Sequence, residues 1–268
     1  MKVISASRRE DMPSFHMKEL MDKYKSMPDD TFWVLWTKNP RKIVDSGMDF
    51  RRVALQLTVT GLGGTEWEPH VPTPKAVFDD VSALIKKGFN PDLINWRLDP
   101  IIRANADDIK RGASSLSSIH GTTHGMAKVA ADLGITRCIT SFVTFYGVVK
   151  SRWPDWEQSQ FSEQEQIEIV KALKAILDPN KIDLYGCVQP HLAGLMKPAA
   201  CVDGNYYSSV TGLDFIGDKD KYQRKHCNCT ASFDIGKYRK CNHACVYCYS
   251  RENQEGDKSS SEVGFDEV

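Results

Sequence analysis

Cys241, Cys245 and Cys248 stand in a C-x3-C-x2-C pattern, with Tyr247 directly before the third cysteine. A cysteine ligates metal as its thiolate, and a short loop can aim successive side chains at one centre. Three thiolates at this spacing suit three corners of a [4Fe–4S] cubane. The fourth iron then has no protein ligand and is open to a small molecule. The plainer alternative is a structural zinc ion, completed by His243, His226 or another cysteine. Zinc loops more often use pairs of C-x2-C knuckles, and no such pair of knuckles occurs here.

Four more cysteines have a bearing on metal chemistry. Cys227 and Cys229 form a C-x-C pair just upstream of the triplet. Cys187 and Cys201 fall near the ends of two successive strand-like runs. Strand ends converge at one rim of a barrel, so these four are expected to meet around a second metal, either another iron–sulfur cluster or zinc. The competing reading makes Cys187 and Cys201 buried small hydrophobes, a common state of free cysteine. Cys138 begins a strand and reads as core.

The elements that must position these residues alternate. Strand-like runs at 3–7, 32–36, 53–60, 93–97, 138–145, 182–188 and 199–202 are rich in β-branched and aromatic residues. Their near-continuous hydrophobicity is that of a parallel sheet covered on both faces. Between them, Val77, Val81, Leu84 and Ile85 recur at helical spacing, with Gly88 as a stop. Ser162 and Glu165 form a capping-box pattern ahead of Ile169, Val170, Leu173, Ile176 and Leu177. The stretch 106–133 reads as two helices broken near Gly121. The expected fold is therefore α/β, a partial or complete (β/α) barrel, with an open doubly wound sheet as the alternative.

The expected organisation is a barrel over 1–216, a cysteine-rich segment over 217–250 packed on its mouth, and a disordered tail over 251–268. The tail has six acidic and two basic residues and a serine run. A loop so late in the chain reaches the barrel mouth if the last strand lies beside the first. The segment 241–248 then faces Ser7 to Asp11. The stretch 217–240 holds seven basic and three acidic residues, which would lower thiolate pKa values or attract a phosphate. As a plainer reading it is a solvated loop.

The chain has 268 residues, 41% of them hydrophobic, enough for a full core without disulfide staples. Its 35 basic and 35 acidic residues cancel, which excludes bulk charge as a drive to nucleic acid or lipid. No apolar run approaches the roughly 20 residues of a membrane helix. The opening residues read as a strand rather than a signal peptide. The expected location is cytoplasmic, where eight cysteines point to metal or catalysis rather than disulfides.

Several motifs together resemble the bacterial and phage family DUF1848. They are Ile4 to Pro13 (ISASRREDMP), Trp36-Thr37-Lys38-Asn39-Pro40, Trp96-Arg97-Leu98-Asp99-Pro100-Ile101, Cys227-Asn228-Cys229, Ser232 to Tyr238 (SFDIGKY) and the final triplet with Tyr249. The triplet spacing is similar to that of radical S-adenosylmethionine (SAM) enzymes. Those enzymes normally carry it near the N-terminus. The Tyr247-Cys248-Tyr249 ending resembles spore photoproduct lyase, a DNA-repair enzyme of that class. These likenesses imply a radical SAM barrel whose cluster reduces SAM and generates a radical that takes hydrogen from a substrate. They also imply an electron donor such as flavodoxin or ferredoxin.

Strand-end residues could then serve SAM. Asp99 or Glu66 would bind ribose hydroxyls, and Arg8, Arg9 or Arg97 would pair with the carboxylate. Gly61 to Gly64 would let backbone approach the methionine end. The arginines and the basic segment favour a phosphate-bearing substrate, a nucleotide or nucleic acid. The second hypothesis is a zinc- or iron–sulfur-stabilised binding or repair-associated module that cleaves no SAM.

Overall fold

The structure, a computed structural model, describes residues 1–111, 122–215 and 218–250. The helix break near Gly121 and the 251–268 tail lie outside the described residues. Eight parallel strands form one sheet: β1 (Lys2–Ala6), β2 (Thr31–Thr37), β3 (Val53–Thr58), β4 (Ile94–Ile101), β5 (Arg137–Phe142), β6 (Asp183–Gly186), β7 (Lys197–Pro198) and β8 (Phe233–Asp234). Their order is β7-β6-β5-β4-β3-β2-β1-β8. β1 to β7 follow chain order, without the reversal that defines a doubly wound sheet. β8 pairs with β1 through Ile4–Phe233 and Ser5–Asp234, so the last strand does lie beside the first. The outer edges are linked by loops, where the Thr230 amide donates to the Val202 carbonyl at 2.8 Å.

Burial explains why the early strands were readable. β2 and β3 are buried almost residue by residue, as in a sheet covered on both faces. The helix α3 (Pro74–Lys86) buries Val77, Phe78, Val81 and Leu84 against the sheet. Thr73 caps its start, and Gly88 follows its end with φ +94°, a conformation that glycine adopts without a Cβ clash. After α4 (Arg103–Arg111), α5 (Thr123–Asp132) and α6 (Gly147–Lys150), the helix α7 (Glu163–Leu177) begins with a complete capping box of Ser162 and Glu165. The run 199–202 is buried at Ala199, Cys201 and Val202 but forms no strand; the ladder lies just before it, at β7. No helix among the described residues is long and apolar enough to cross a membrane.

Candidate metal centre

A cavity of about 580 Å³ opens where the strands end. Its wall holds Ser7, Arg8, Arg9 and Asp11 after β1, Lys38 after β2, Arg97 and Asp99 of β4, and Ser141 of β5. Seven of the eight cysteines line it as well: Cys187, Cys201, Cys227, Cys229, Cys241, Cys245 and Cys248. All eight are free thiols, and Cys138, which does not line the cavity, is fully buried in β5, the core position expected of it.

The loop that carries the triplet is fastened at both ends and in the middle. His243 lies 2.8 Å from Asp11 Oδ2 through Nε2 and 3.2 Å from the His70 carbonyl through Nδ1. Both partners are acceptors, so both ring nitrogens must carry hydrogen for the two bonds to form. Phe15 packs edge-on against the ring, with centroids 4.6 Å apart. His243 thus positions the loop by hydrogen bonding. Further along, the Val246 amide donates to the Trp67 carbonyl at 3.1 Å, and Arg152 donates to the Cys248 carbonyl. The Tyr249 hydroxyl donates to the Arg8 carbonyl at 2.9 Å. Ala244 takes φ +55°, a left-handed turn that costs a non-glycine residue about 1 kcal/mol and reverses the chain between Cys241 and Cys245.

Two buried hubs receive these fastenings. Asp11 caps the short helix α1 (Met12–Phe15) through Ser14 N at 2.9 Å, and takes hydrogen bonds from Thr37 Oγ1 at 3.0 Å and Lys38 N at 2.8 Å. Glu68 receives Lys38 Nζ at 2.8 Å, Thr60 Oγ1 at 2.6 Å and the Tyr247 hydroxyl. Lys38 also donates to the Tyr247 hydroxyl at 2.9 Å. Burial pushes both carboxyls up, but it is outweighed by the sum of the contacts from His243, Lys38 N and Ser14 at Asp11 and from Lys38, Thr60 and Tyr247 at Glu68, and both end below their ordinary values. A carboxyl depressed in the folded state contributes stability above its unfolded pKa, about 4, and loses it as pH falls through the folded value. The urea midpoint should therefore hold from pH 7 to about 5 and fall below about 4. A midpoint that rises on acidification would contradict the two-hub account.

Burial also pushes the triplet thiols up, Cys241 to about 11 and Cys245 to about 12, with Lys38 opposing the shift at Cys245. Thiols held neutral by burial ionise readily only where a cation takes the charge, which is what an iron–sulfur cluster supplies. Unbridged thiols on a cavity wall are thus a donor set that fits a cluster. Among the described residues, no group of three or more His, Cys, Asp or Glu side chains is arranged to hold a single metal ion.

The other four cysteines also come together. Cys187 and Cys201 sulfurs lie 3.9 Å apart, and Cys229 Sγ accepts the Val202 amide at 3.5 Å. Thiol contacts from Cys201 and Cys227 to Cys229, with Arg8 beside it, hold Cys229 well below the ordinary thiol range. The Arg224 guanidinium lies 3.9 Å from Cys187 Sγ.

The strand-end residues expected to serve SAM divide. Arg8 and Arg97 both lie over the Trp36 ring, at 5.4 and 4.6 Å, and Arg9 lies over Tyr238 at 5.3 Å. Arg97 pairs with Asp99, which also accepts from Ser141, so the two candidates are bound to each other; Arg97 Nε has no partner among the described residues. Glu66 is not brought to the cavity: it is exposed on the loop after β3, and the inward carboxylate is Glu68, two residues on. Gly63 is packed rather than available, because a Cβ there would sit 2.1 Å from the Pro72 carbonyl oxygen. Glu68 carried no signal of its own in the sequence, and Lys38 stood out there only within the Trp36 to Pro40 motif. The period-two step from Glu66 to Glu68, past Trp67, was the only local hint.

No curated protein matches the chain. The family model described as a domain of unknown function, DUF1848, matches residues 23–250, which takes in the cavity ends of the strands after β1 and all seven lining cysteines. The chain belongs to the DUF1848 family.

Proposed function

We propose that the protein is a radical SAM enzyme whose [4Fe–4S] cluster is held by Cys241, Cys245 and Cys248. The observation that carries this reading is that the three thiols share one cavity with the polar ends of β1, β2, β4 and β5. When bound, the cluster supplies the electron that cleaves SAM and so starts hydrogen abstraction. The chain's own residues do the positioning. Asp11 and His243 hold one side of the loop, and Glu68, Lys38 and Tyr247 hold the other. Arg8, Arg9 and Arg97 supply cations for a carboxylate or phosphate, with Arg8 Nη2 and Arg97 Nε lacking protein partners among the described residues. Each cysteine of a cubane binds a separate iron. Its thiols must face a common space rather than crowd one ion, and this favours the cluster over zinc for the triplet. Cys187, Cys201, Cys227 and Cys229 form the second centre of this reading, an auxiliary cluster or a zinc ion. Reduction would come from a flavodoxin or ferredoxin, and the substrate is a nucleotide or nucleic acid.

Anaerobic reconstitution, metal and sulfide analysis and electron paramagnetic resonance with and without SAM provide the test. About four irons or more per chain and a spectrum perturbed by SAM are expected. Cys245→Ala should abolish SAM cleavage, while Cys187→Ser with Cys201→Ser should lower metal content and keep the SAM-perturbed signal. A single tight zinc with no SAM cleavage would instead establish the second reading, a metal-stabilised binding module. A Cys245→Ala protein that still cleaves SAM would overturn the ligand assignment.

A further inference from the structure

Among the described residues, the large hydrophobic side chains left exposed are Tyr222, Phe233, Tyr238 and Tyr249, at 95%, 67%, 48% and 45%. All four border the same cavity. Scattered exposed aromatics need no explanation, but four around one opening do. None fills the core, and each leaves much of a ring surface to solvent. Three of them sit on the segment 218–240, interleaved with exposed Lys219, Lys221, Arg224, Lys225 and Lys240. No carboxylate of the described residues pairs with these five cations. Of the acidic residues nearby, Glu10 and Glu19 are engaged by Arg239 and Lys237, Asp220 is buried and accepts from the Tyr222 amide, and Asp218 stays exposed beside Lys219.

The distribution of charge decides what kind of ligand fits. Of the cations that line the cavity, Arg97 is answered by Asp99 and Lys38 by Glu68, whereas Arg8, Arg9 and Arg224 have no carboxylate partner among the described residues. Of the five unpaired cations, only Arg224 borders the cavity; the four lysines lie outside it. A free mononucleotide in the cavity would leave those lysines unused. A chain of phosphates crossing the mouth would reach them while its bases lay on the aromatic rings. Base stacking needs unpaired bases, and alternating ring platforms and cations are how single strands are bound without reading their sequence.

We propose that the cavity mouth binds a single-stranded nucleic acid, with bases stacked on Tyr222, Phe233, Tyr238 and Tyr249 and phosphates on the lysines of 219–240. One nucleotide of the strand faces the cavity. This deepens the substrate class of the proposed enzyme and rests on that reading only in taking the cavity as the place of reaction.

The test is fluorescence anisotropy on the full chain, reconstituted without oxygen, using labelled single-stranded DNA and RNA of about 10–15 nucleotides, within the usual footprint of such sites. Binding of either strand should weaken with salt at a log–log slope of about −3.5, from roughly −0.7 for each of about five phosphate contacts. Tyr222→Ala should weaken it roughly 5- to 100-fold by loss of one stacking platform. Lys221→Gln with Lys225→Gln should flatten the slope by about 0.7 per lysine. Both sites are exposed, so circular dichroism of the variants should match the parent. No binding at low salt, equal affinity for duplex, a mononucleotide that binds as tightly as the strand, or an unchanged Tyr222→Ala each overturns the proposal. The assay contains no SAM, so a protein that binds strands but leaves SAM intact refutes the radical reading alone.

Discussion

Replacing Glu68 with alanine should destabilise the fold by about 3–5 kcal/mol, the cost of stranding one member of a buried ion pair. Glu68 is 1% exposed, and three donors converge on its Oε1: Lys38 Nζ, Thr60 Oγ1 and the Tyr247 hydroxyl. Without the carboxylate, Lys38 keeps its charge in a nearly closed site, and Tyr247 keeps only its bond from Lys38. For a chain of this length the loss corresponds to a fall in Tm of roughly 10 °C. Glu68→Gln keeps one acceptor and the volume, so it should cost less. Lys38→Met combined with Glu68→Leu removes both charges and should recover much of the loss, a coupling that a double-mutant cycle reads directly. Because Tyr247 stands between Cys245 and Cys248, the iron content expected under the proposed function should also fall in Glu68→Ala before the fold is lost. A Glu68→Ala protein within about 1 kcal/mol of the parent would show that the pair is not holding the loop.

The contrast between Glu68 and Glu66 shows what could be read from the sequence and what could not. Both carboxylates stand in one short turn, and only the path of the chain decides which meets Lys38. That path depends on Gly63 lying against the Pro72 carbonyl and on the Gly64 amide reaching the Glu68 carbonyl at 3.0 Å. Neither leaves a trace in hydrophobic periodicity. The strands β1 to β6 were legible because residues buried on both faces write themselves as unbroken apolar runs. The same signal misled at 199–202, where Ala199, Cys201 and Val202 are apolar because they are covered, not because they pair. It was silent at β8, where Phe233 is exposed and the neighbours are polar. The cysteine quartet was legible from strand ends, since Cys187 follows β6 and Cys201 follows β7. The aromatic rim was not, because an exposed tyrosine and a buried one look alike in a sequence.

Gly236→Ala should be the most damaging single methyl addition at the β1–β8 junction. An added Cβ would lie 1.8 Å from Ser7 Oγ and 2.3 Å from Ser7 Cβ. The second of these atoms is fixed to the backbone at the end of β1, so no rotamer change of Ser7 relieves the clash. Gly236 is itself held from both sides, its amide on Asp234 Oδ1 at 2.9 Å and its carbonyl on Arg9 Nη1 at 3.2 Å. The pairing of β8 with β1 consists of only two residue pairs. The easiest relief is therefore to part these strands, and the cysteine loop begins only five residues later at Cys241. Overpacking of this kind costs about 1–3 kcal/mol, read as a lower urea midpoint. Separation of β8 also removes the Asp234 contact with the Arg8 amide, 2.9 Å in the parent, and loosens the side of the cavity where Arg8 meets Cys229. Ser7→Gly alone should cost too, since Ser7 Oγ accepts from the Arg9 amide at 2.9 Å and the Glu10 amide at 3.3 Å. The double variant should lose less than the sum of the two, because each single change harms the same contact. Strict additivity in that cycle would mean that the strands part for another reason and that Gly236 does not set the distance between the first strand and the last.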